Sequence, residues 1–464
     1  MHRLPPPLAT RRAVMLGLAA STVVLRPARA QTGGGWTNLV AAPREMRLRP
    51  DSAAAAQVWT FGDTAPGTVL RVKAGEPLRL RIENRTPAPL AFHVLGLRGP
   101  NAADGVGGLT GEPAAPGGVV EIAVPAPQPG TYLIRPLLLG ASGEPTERGL
   151  AAMLIVDERK PPAVEREVEL VIDDWRLAED GSLAPFGAVP EAASTGRLGN
   201  WLTIGGEAVP RRIEAPLGSR LRLRLANASN ARIMPIRFEG VRAYVAAIDS
   251  VPTDAFEPLR ATLPFPPGRR YDVIVEMPEA TEPQARLLAA IGPGVPLASF
   301  VSTGAAQGGT RPPVAGIAER PSLPAEIRLQ NATRRDVALG GGARPAPDGT
   351  PRYAGDPKRI WTVNGSAGTP GMPPLLRVAR GTPVVLAVTN DTATVQALHL
   401  HGHAFRLLHN LDDGWEPYWL DTLQVPEGRT SRIAFVADNP GKWLFGSTIL
   451  ERLDTGLWTW FEVT

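Results

Sequence analysis

Three stretches of the chain largely alternate apolar and polar residues on one shared template. They occupy residues 75–84, 218–227 and 381–390, and each begins with Gly and ends with Asn nine positions later. A period of two places every second side chain on the same face, which is typical of a half-buried β-strand. Gly and Asn at the two ends favour turns. We therefore predict three equivalent strands bounded by turns.

A second shared element follows each stretch. A Gly-containing turn precedes the strand-like segments 119–124, 271–275 and 431–436. A repeat period of this length indicates duplicated domains rather than a solenoid, and 464 residues suffice for about three domains. The sequence therefore predicts an all-β protein of three Greek-key sandwich or barrel domains. The predicted limits of the domains are 36–158, 165–305 and 322–464.

The repeat also places two histidines at equivalent positions. His93 and His399 each lie nine residues after the Asn that ends the template stretch, whereas the middle repeat has Ile236 there. His401 shares a strand face with His399, because side chains at i and i+2 point to the same side. If the first and third domains pack with pseudo-twofold symmetry, His93 and His399 face each other. An interdomain metal site then becomes geometrically possible.

The N-terminal region has the features of an export signal. It contains a twin-arginine pair at 11–12, an apolar run at 13–25 and a small-residue cleavage site at 28–30. The run is too short to span a bilayer comfortably, although a basic tail with a short membrane helix is the alternative. We predict a twin-arginine signal peptide at residues 1–30. The mature chain then begins near Gln31, contains no membrane span and is located in the bacterial periplasm.

Composition excludes several classes of function. The chain has no Cys, so it cannot form disulfides, thiol nucleophiles or thiolate metal sites. Its net charge is +4, and the basic residues are scattered without a Lys/Arg run of the nucleic-acid type. We therefore expect no nucleic-acid partner.

Four motifs resemble those of the multicopper oxidases, which are laccase-like proteins built of three cupredoxin domains. They lie at residues 92–105, 130–137, 398–403 and 435–445, so the resemblance covers nearly the whole mature chain. It implies three cupredoxin-like domains. In this family a blue copper with a Cys ligand takes up electrons and passes them to a trinuclear copper cluster that reduces oxygen. The resemblance matches His93 and His399 to the type 2 copper pair and His401 to one ligand of the type 3 pair.

At the other ligand positions the resemblance implies that the histidines and the cysteine are replaced. The replacing residues are Leu95, Arg135, Leu137, Gln396, the triplet Gly446-Ser447-Thr448, and Arg452. Two arginines put permanent positive charge where copper ions would lie, and like charges repel at close range. The leucines turn a polar cavity into apolar core. We predict that no blue copper forms, that laccase-type activity is lost and that the chain has no catalytic residue.

Two functional hypotheses remain open. In the first, the chain is a non-enzymatic periplasmic scaffold or binding protein without a cofactor, and its partner is an unidentified periplasmic protein or small molecule. The family contains one copper-free case of this kind, a bacterial cell division protein exported by the twin-arginine route. In the second, His93, His399 and His401 hold a single weakly bound copper or zinc ion, with or without residual oxidoreductase activity. The histidines could instead be vestigial and bonded to backbone or water.

Buried arginines create a further expectation. Arg135 and Arg452 need carboxylate partners if they lie in the interior, and Asp104, Glu144 and Glu451 are the candidates by proximity in sequence.

His403 is expected to bond a turn rather than a metal. The pairs Trp415/Trp419 and Trp458/Trp460 are expected to fill the core or domain interfaces, with a binding groove as the alternative.

Overall fold

The computed structural model describes residues 32–33, 35–62, 66–278, 284–304, 311–324, 326–345, 350–408 and 414–464. The predicted signal peptide at 1–30 lies outside these ranges. Strands dominate the described residues, and every helix is short. The predicted all-β class is therefore confirmed.

The strands fall into three successive groups, one for each predicted repeat. The first group is β1 (Thr32–Gly33), β2 (Trp36–Met46), β3 (Ala56–Phe61), β4 (Thr68–Val72), β5 (Leu78–Asn84), β6 (Phe92–Leu95), β7 (Val119–Val124), β8 (Gly130–Pro136) and β9 (Ala152–Val156). The second group is β10 (Arg166–Trp175), β11 (Trp201–Ile204), β12 (Glu207–Ala208), β13 (Arg211–Pro216), β14 (Arg220–Asn227), β15 (Ile236–Glu239), β16 (Arg242–Ile248), β17 (Val251–Phe256), β18 (Thr262–Leu263), β19 (Arg270–Glu276), β20 (Arg286–Ala289) and β21 (Val295–Thr303). The third group is β22 (Thr333–Gly341), β23 (Arg344–Pro345), β24 (Pro351–Arg352), β25 (Trp361–Val363), β26 (Arg377–Val378), β27 (Thr382–Asn390), β28 (Gln396–Leu400), β29 (Arg406–Leu407), β30 (Thr422–Val425), β31 (Thr430–Ala437), β32 (Gly441–Ser447) and β33 (Trp458–Val463).

The helices lie in the connections between strands. They are α1 (Gly143–Glu147), α2 (Val189–Ala192) and α3 (Leu450–Asp454), with 3-10 turns at Asn101–Ala103, Leu259–Ala261 and Leu329–Asn331. Among the described helices, none combines the length and the apolar character needed to cross a membrane.

All three groups share one topology. In one sheet of each group, the first long strand pairs in parallel with the strand of the Gly-to-Asn template. That template strand pairs antiparallel with the strand of the second shared element. The resulting strand orders are β2-β5-β7, β10-β14-β19 and β22-β27-β31. In the other sheet the final strand pairs in parallel with an earlier one, giving β4-β9, β13-β21 and β26-β33. These are the three predicted cupredoxin-like sandwiches. Their exact limits stay predictions.

The Asn at the end of each template strand has the same structural role in all three copies. The buried side-chain amide of Asn84 donates to two backbone carbonyls, and its oxygen accepts from the backbone N–H and the hydroxyl of Thr86. Asn227 and Asn390 make the equivalent four bonds in their own repeats. The repeated Asn therefore supplies the hydrogen bonds that the turn backbone needs inside the protein.

The middle template strand differs from the expected half-buried pattern. β14 is buried along its whole length, because its polar face packs against the first domain. Arg222 donates to Glu158 at 2.6 Å and to Asp272 at 2.5 Å. Arg224 donates to the hydroxyl of Thr131, which itself donates to Asp272 at 2.6 Å. An alternating pattern predicts that these charged side chains face solvent. In the structure they instead connect the first and second domains.

Candidate metal centre

Three histidines converge where the first and third domains meet. His93 lies in β6, His399 lies in β28, and His401 lies in the turn that follows β28; all three are buried. The Nε2 atoms of His93 and His399 are 3.3 Å apart, and one ligand atom from each histidine lies within 4.8 Å of the others. The equivalent histidines thus face each other, as the repeat predicts.

The opposite nitrogen of each ring is held by an oxygen. His93 Nδ1 lies 2.6 Å from the backbone carbonyl of Asp104, and His399 Nδ1 lies 2.9 Å from that of Asp421. His401 Nδ1 lies 2.9 Å from the carboxylate of Asp104. These oxygens only accept hydrogen bonds, so each Nδ1 donates and each Nε2 presents a lone pair to the common centre. Metal-binding histidines are commonly oriented in this way.

The spacing suits one ion at this centre. Two imidazole nitrogens bound tetrahedrally at ~2.0–2.1 Å lie about 3.3–3.4 Å apart, which matches the distance from His93 to His399. In the same geometry the nitrogens of all three histidines would lie about 3.4 Å from one another, so a pair at the 4.8 Å limit must approach by up to about 1.4 Å. Burial, followed by repulsion from His93, lowers the pKa of His401 to about 3, and the same two causes lower the pKa of His399. Neutral imidazoles are the form that binds metal.

Two glycines allow the chain to approach this centre closely. Gly105 has φ +73°, and a Cβ there would lie 2.0 Å from the carbonyl oxygen of Phe92, so only glycine lets the adjacent Asp104 reach the histidines. Gly402 has φ +67°, and a Cβ there would lie 2.3 Å from the ring of Trp443.

Two residues of the second domain fix the Asp421 segment. Arg270 donates to both carboxylate oxygens of Asp421, at 3.0 and 2.5 Å. Asp249 accepts from the backbone N–H groups of Asp421 and Thr422 at 3.1 and 2.9 Å. From the sequence, Asp104 was expected only as a partner for arginine, and Asp421 was not predicted. The position of Asp104 in the loop of the first motif could have indicated that it lies near the histidines. No feature of the sequence around Asp421 indicates this.

Arg135 lies beside the histidines and has no carboxylate partner among the residues that the structure describes. It pairs with His93 across the β6–β8 ladder and is 2% exposed. Its Nε and Nη1 atoms have no hydrogen-bond partner. Burial, followed by repulsion from Arg270, lowers the pKa of Arg135 to about 9. A charge in this position weakens the binding of any cation to the histidines.

The carboxylate partners predicted for Arg135 and Arg452 were wrong. Asp104 contacts His93 and His401, Glu144 pairs with Arg148, and Glu451 accepts from Asn230. Within the described part of the chain, no carboxylate lies within ion-pair distance of either buried arginine. The candidates came from proximity in sequence, and the fold directs them elsewhere.

The two leucines at ligand positions of the family resemblance, Leu95 and Leu137, belong to the apolar core. Leu95 packs in a buried cluster with Leu133 and Met153. Leu137 packs in another with Leu444 and Leu450. Neither position offers a donor atom to a metal.

Arg452 and Gln396 are joined where the family resemblance places the electron-accepting copper. Arg452 donates to the Gln396 side-chain oxygen at 2.6 Å, to the preceding backbone carbonyl at 2.7 Å and to the carbonyl of Ser194 at 2.8 Å. Its guanidinium lies 4.8 Å from the Trp361 ring. Ser447 Oγ accepts from a backbone N–H. An amide, a hydroxyl and a fixed cation do not fit a blue copper, which requires imidazole and thiolate ligands.

The other residues considered in the sequence are His403 and the two tryptophan pairs. His403 Nδ1 lies 3.1 Å from the His401 carbonyl and its ring packs among aromatic side chains, as expected for a turn-bonding residue. Trp458 and Trp460 are buried. Trp415 and Trp419 are partly exposed and line a surface hollow of about 300 Å³.

Comparison with known proteins identifies the fold family. Multicopper oxidase family models match residues 44–161 and 344–464. The chain belongs to the multicopper oxidase family. A multicopper oxidase of Pseudomonas thermotolerans has a similar structure, with a TM-score of 0.79 and 27% identity over 92% of this chain and 99% of that one. A multicopper oxidase of Pseudomonas parafulva gives 0.78 and 29% over the same shares.

Curated relatives point in two functional directions. The multicopper oxidase MmcO of Mycobacterium tuberculosis is 26% identical over 419 residues, covering 83% of this chain and 79% of that protein. The cell division protein FtsP of Edwardsiella tarda is 32% identical over 234 residues, covering 48% of this chain and 47% of that protein. The similarity to FtsP therefore spans about half of each chain.

Proposed function

We propose that this multicopper oxidase family member is a non-enzymatic scaffold or binding protein of the periplasm. The observation that carries the proposal is the bond between Arg452 and Gln396. The family resemblance puts the electron-accepting copper at these side chains, where Arg452 instead donates to the side-chain oxygen of Gln396. Without an acceptor, electrons from a substrate have no route towards oxygen. Similarity to a cell division protein over half the chain supports a role other than oxidation.

The test is spectroscopic and kinetic. Purified protein is loaded with Cu²⁺, its visible spectrum is recorded, and oxygen uptake is measured with a phenolic substrate. A laccase serves as the positive control. We expect no thiolate-to-copper band and an uptake rate equal to that of a sample without protein. A blue preparation that oxidises phenols would contradict the proposal.

A second candidate function is supported by the 3.3 Å spacing of His93 and His399. Here the three histidines hold one copper or zinc ion, and the positive charge of Arg135 keeps the affinity weak. The test titrates Cu²⁺ into the wild type and a His399→Ala variant, with His403→Gln as the matched control. Loss of binding only in His399→Ala supports the site. Equal binding by all three proteins would mean that the histidines are relics.

Export by the twin-arginine route is the third element of the proposal and rests on the sequence. Replacement of Arg11 and Arg12 by lysine is expected to trap precursor in the cytoplasm. Immunoblots of periplasmic and cytoplasmic fractions measure this. An unchanged periplasmic yield would reject the predicted route.

A further inference from the structure

Arg135 is a buried cation beside the three histidines of the candidate metal centre. It is the direct cross-strand partner of His93, so the two side chains leave the β6–β8 pair on the same face. The side chain is 2% exposed, and its guanidinium is therefore enclosed by protein. Gly268 of the second domain leaves room for it, because a Cβ there would lie 2.7 Å from Leu95 and 3.8 Å from Arg135 Nη2. Arginine keeps its proton in proteins, so the position carries a permanent positive charge.

The other charged groups around the histidines balance one another. They form pairs of opposite charge: Arg270 with Asp421, Arg269 with Asp249, and Arg98 with Asp438. Asp104 accepts from His401 Nδ1 at 2.9 Å, and its ion-pair contacts among the described residues are with histidines only. The charge of Asp104 therefore offsets that of Arg135. Since the imidazole donors are neutral, the charge of any bound ion is left uncompensated.

The centre offers three nitrogen donors. Among the described residues the group of close ligand atoms consists of His93, His399 and His401, with no further His, Asp or Glu. At neighbouring ligand positions of the family resemblance, Leu95 and Leu137 supply no donor atom. Zn²⁺ is almost always bound by four donors, and Cu²⁺ favours tetragonal coordination. Cu⁺ has a filled d shell and a single charge, and three donors suffice for it. The number of donors therefore favours Cu⁺.

The charge of the ion determines how strongly these surroundings oppose its binding. In the Born description, the cost of moving an ion from water into the protein grows with the square of its charge, so it is about four times larger for a divalent ion. Repulsion from Arg135 grows in proportion to the charge, so it is about twice as large. Both penalties fall more heavily on Cu²⁺ and Zn²⁺ than on Cu⁺.

We infer that Arg135 makes the three-histidine centre selective for Cu⁺ over Cu²⁺ and Zn²⁺. Arg135 determines this specificity through its charge and does not touch the ion. The inference rests on the second candidate function, metal binding by the histidines, and names the charge and the kind of ion that the site takes.

Competition titrations of the wild type in oxygen-free buffer measure the preference. Cu⁺ is supplied as its acetonitrile complex in the presence of bicinchoninate, and Cu²⁺ and Zn²⁺ are supplied in the presence of nitrilotriacetate. We expect the dissociation constant of Cu⁺ to be at least about tenfold lower than those of both divalent ions. Equal dissociation constants, or tighter binding of either divalent ion, would overturn the inference.

Arg135→Leu tests the role of the charge, and leucine is chosen because the sulfur of methionine is itself a ligand for Cu⁺. The repulsion that the variant removes is proportional to the charge of the ion. If the affinity for Cu⁺ rises by a factor F, the affinity for Cu²⁺ and Zn²⁺ should therefore rise by about F². We expect F to be about three or more, which gives about tenfold or more for the divalent ions. Arg432→Leu, at an exposed position, is the matched control and should change each affinity less than about twofold. Equal factors for all three ions would contradict discrimination by charge.

The same titrations on His399→Ala separate failure of the inference from failure of the metal site. We expect this variant to bind Cu⁺ at least about tenfold more weakly than the wild type. If it binds all three ions as the wild type does, the metal site and the inference fall together. If binding depends on His399 but Cu⁺ is not preferred, only the inference is overturned and the second candidate function stands.

Discussion

The bond between Arg452 and Gln396 gives a quantitative prediction about the position where the family resemblance places the electron-accepting copper. Both residues are buried, and Arg452 donates to three oxygens at 2.6–2.8 Å. Arg452→Met keeps most of the side-chain volume and removes the charge with all of its donors. Gln396→Leu removes the side-chain acceptor together with the amide group that donates to Thr392 Oγ1 at 2.8 Å. The two single variants and the double variant form a thermodynamic cycle.

Two opposing effects set the magnitude for Arg452→Met. Three hydrogen bonds from a charged donor are worth about 1.5–3 kcal/mol each. Against this, removing a buried charge that lacks a carboxylate partner returns a desolvation cost of several kcal/mol. We expect Arg452→Met to lower the free energy of unfolding by about 2–4 kcal/mol. The coupling energy between the two positions should be at least about 1.5 kcal/mol, the contribution of one charge-assisted bond.

Urea unfolding followed by tryptophan fluorescence measures both quantities, provided that the transitions remain two-state. Arg429→Met, at an exposed position, is the matched control and should change stability by less than about 0.5 kcal/mol. A coupling energy below about 0.5 kcal/mol, or a more stable Arg452→Met variant, would refute the reasoning. The bond between the two side chains would then contribute nothing to stability at this position.

Three further predictions follow from single residues. Ser447→Cys restores a thiol but should give no blue absorption band after copper loading, because Gln396 and Arg452 supply no imidazole; a blue product would contradict this. Asp272→Asn should lower the free energy of unfolding by about 3–5 kcal/mol at neutral pH, measured in urea. Burial alone would raise the pKa of Asp272, but its two arginine partners lower it, so its stabilising contribution is complete above about pH 4 and is lost as the pH falls through the folded-state pKa. The variant should therefore lose less stability on acidification, and parallel pH profiles would argue against this. Gly105→Ala should destabilise the fold and weaken copper binding, whereas Gly117→Ala, with similar φ and open space, should cost only about 1–2 kcal/mol.

The repeat could be predicted from sequence because its causes are local. Alternation, terminal Gly and terminal Asn each determine a strand or a turn, and the repeat carries His93 and His399 to matching positions. The facing geometry of the two histidines followed from this pattern. Their burial and mutual distance required only that the first and third domains pack together.

The surroundings of the site depended on contacts distant in sequence. Asp421 reaches His399 through a segment fixed by Arg270 of another domain, and no local pattern marks that connection. A half-buried strand was predicted at β14, and alternation does not reveal that the first domain covers its polar face.

The copper content after loading tests the central claim most directly. Purified protein is incubated with excess Cu²⁺, passed through a desalting column and analysed for copper per chain, with His399→Ala in parallel. We predict at most one copper per chain in the wild type, no blue colour, and less copper in the variant. About four coppers per chain with a blue absorption band, unaffected by the substitution, would contradict the account.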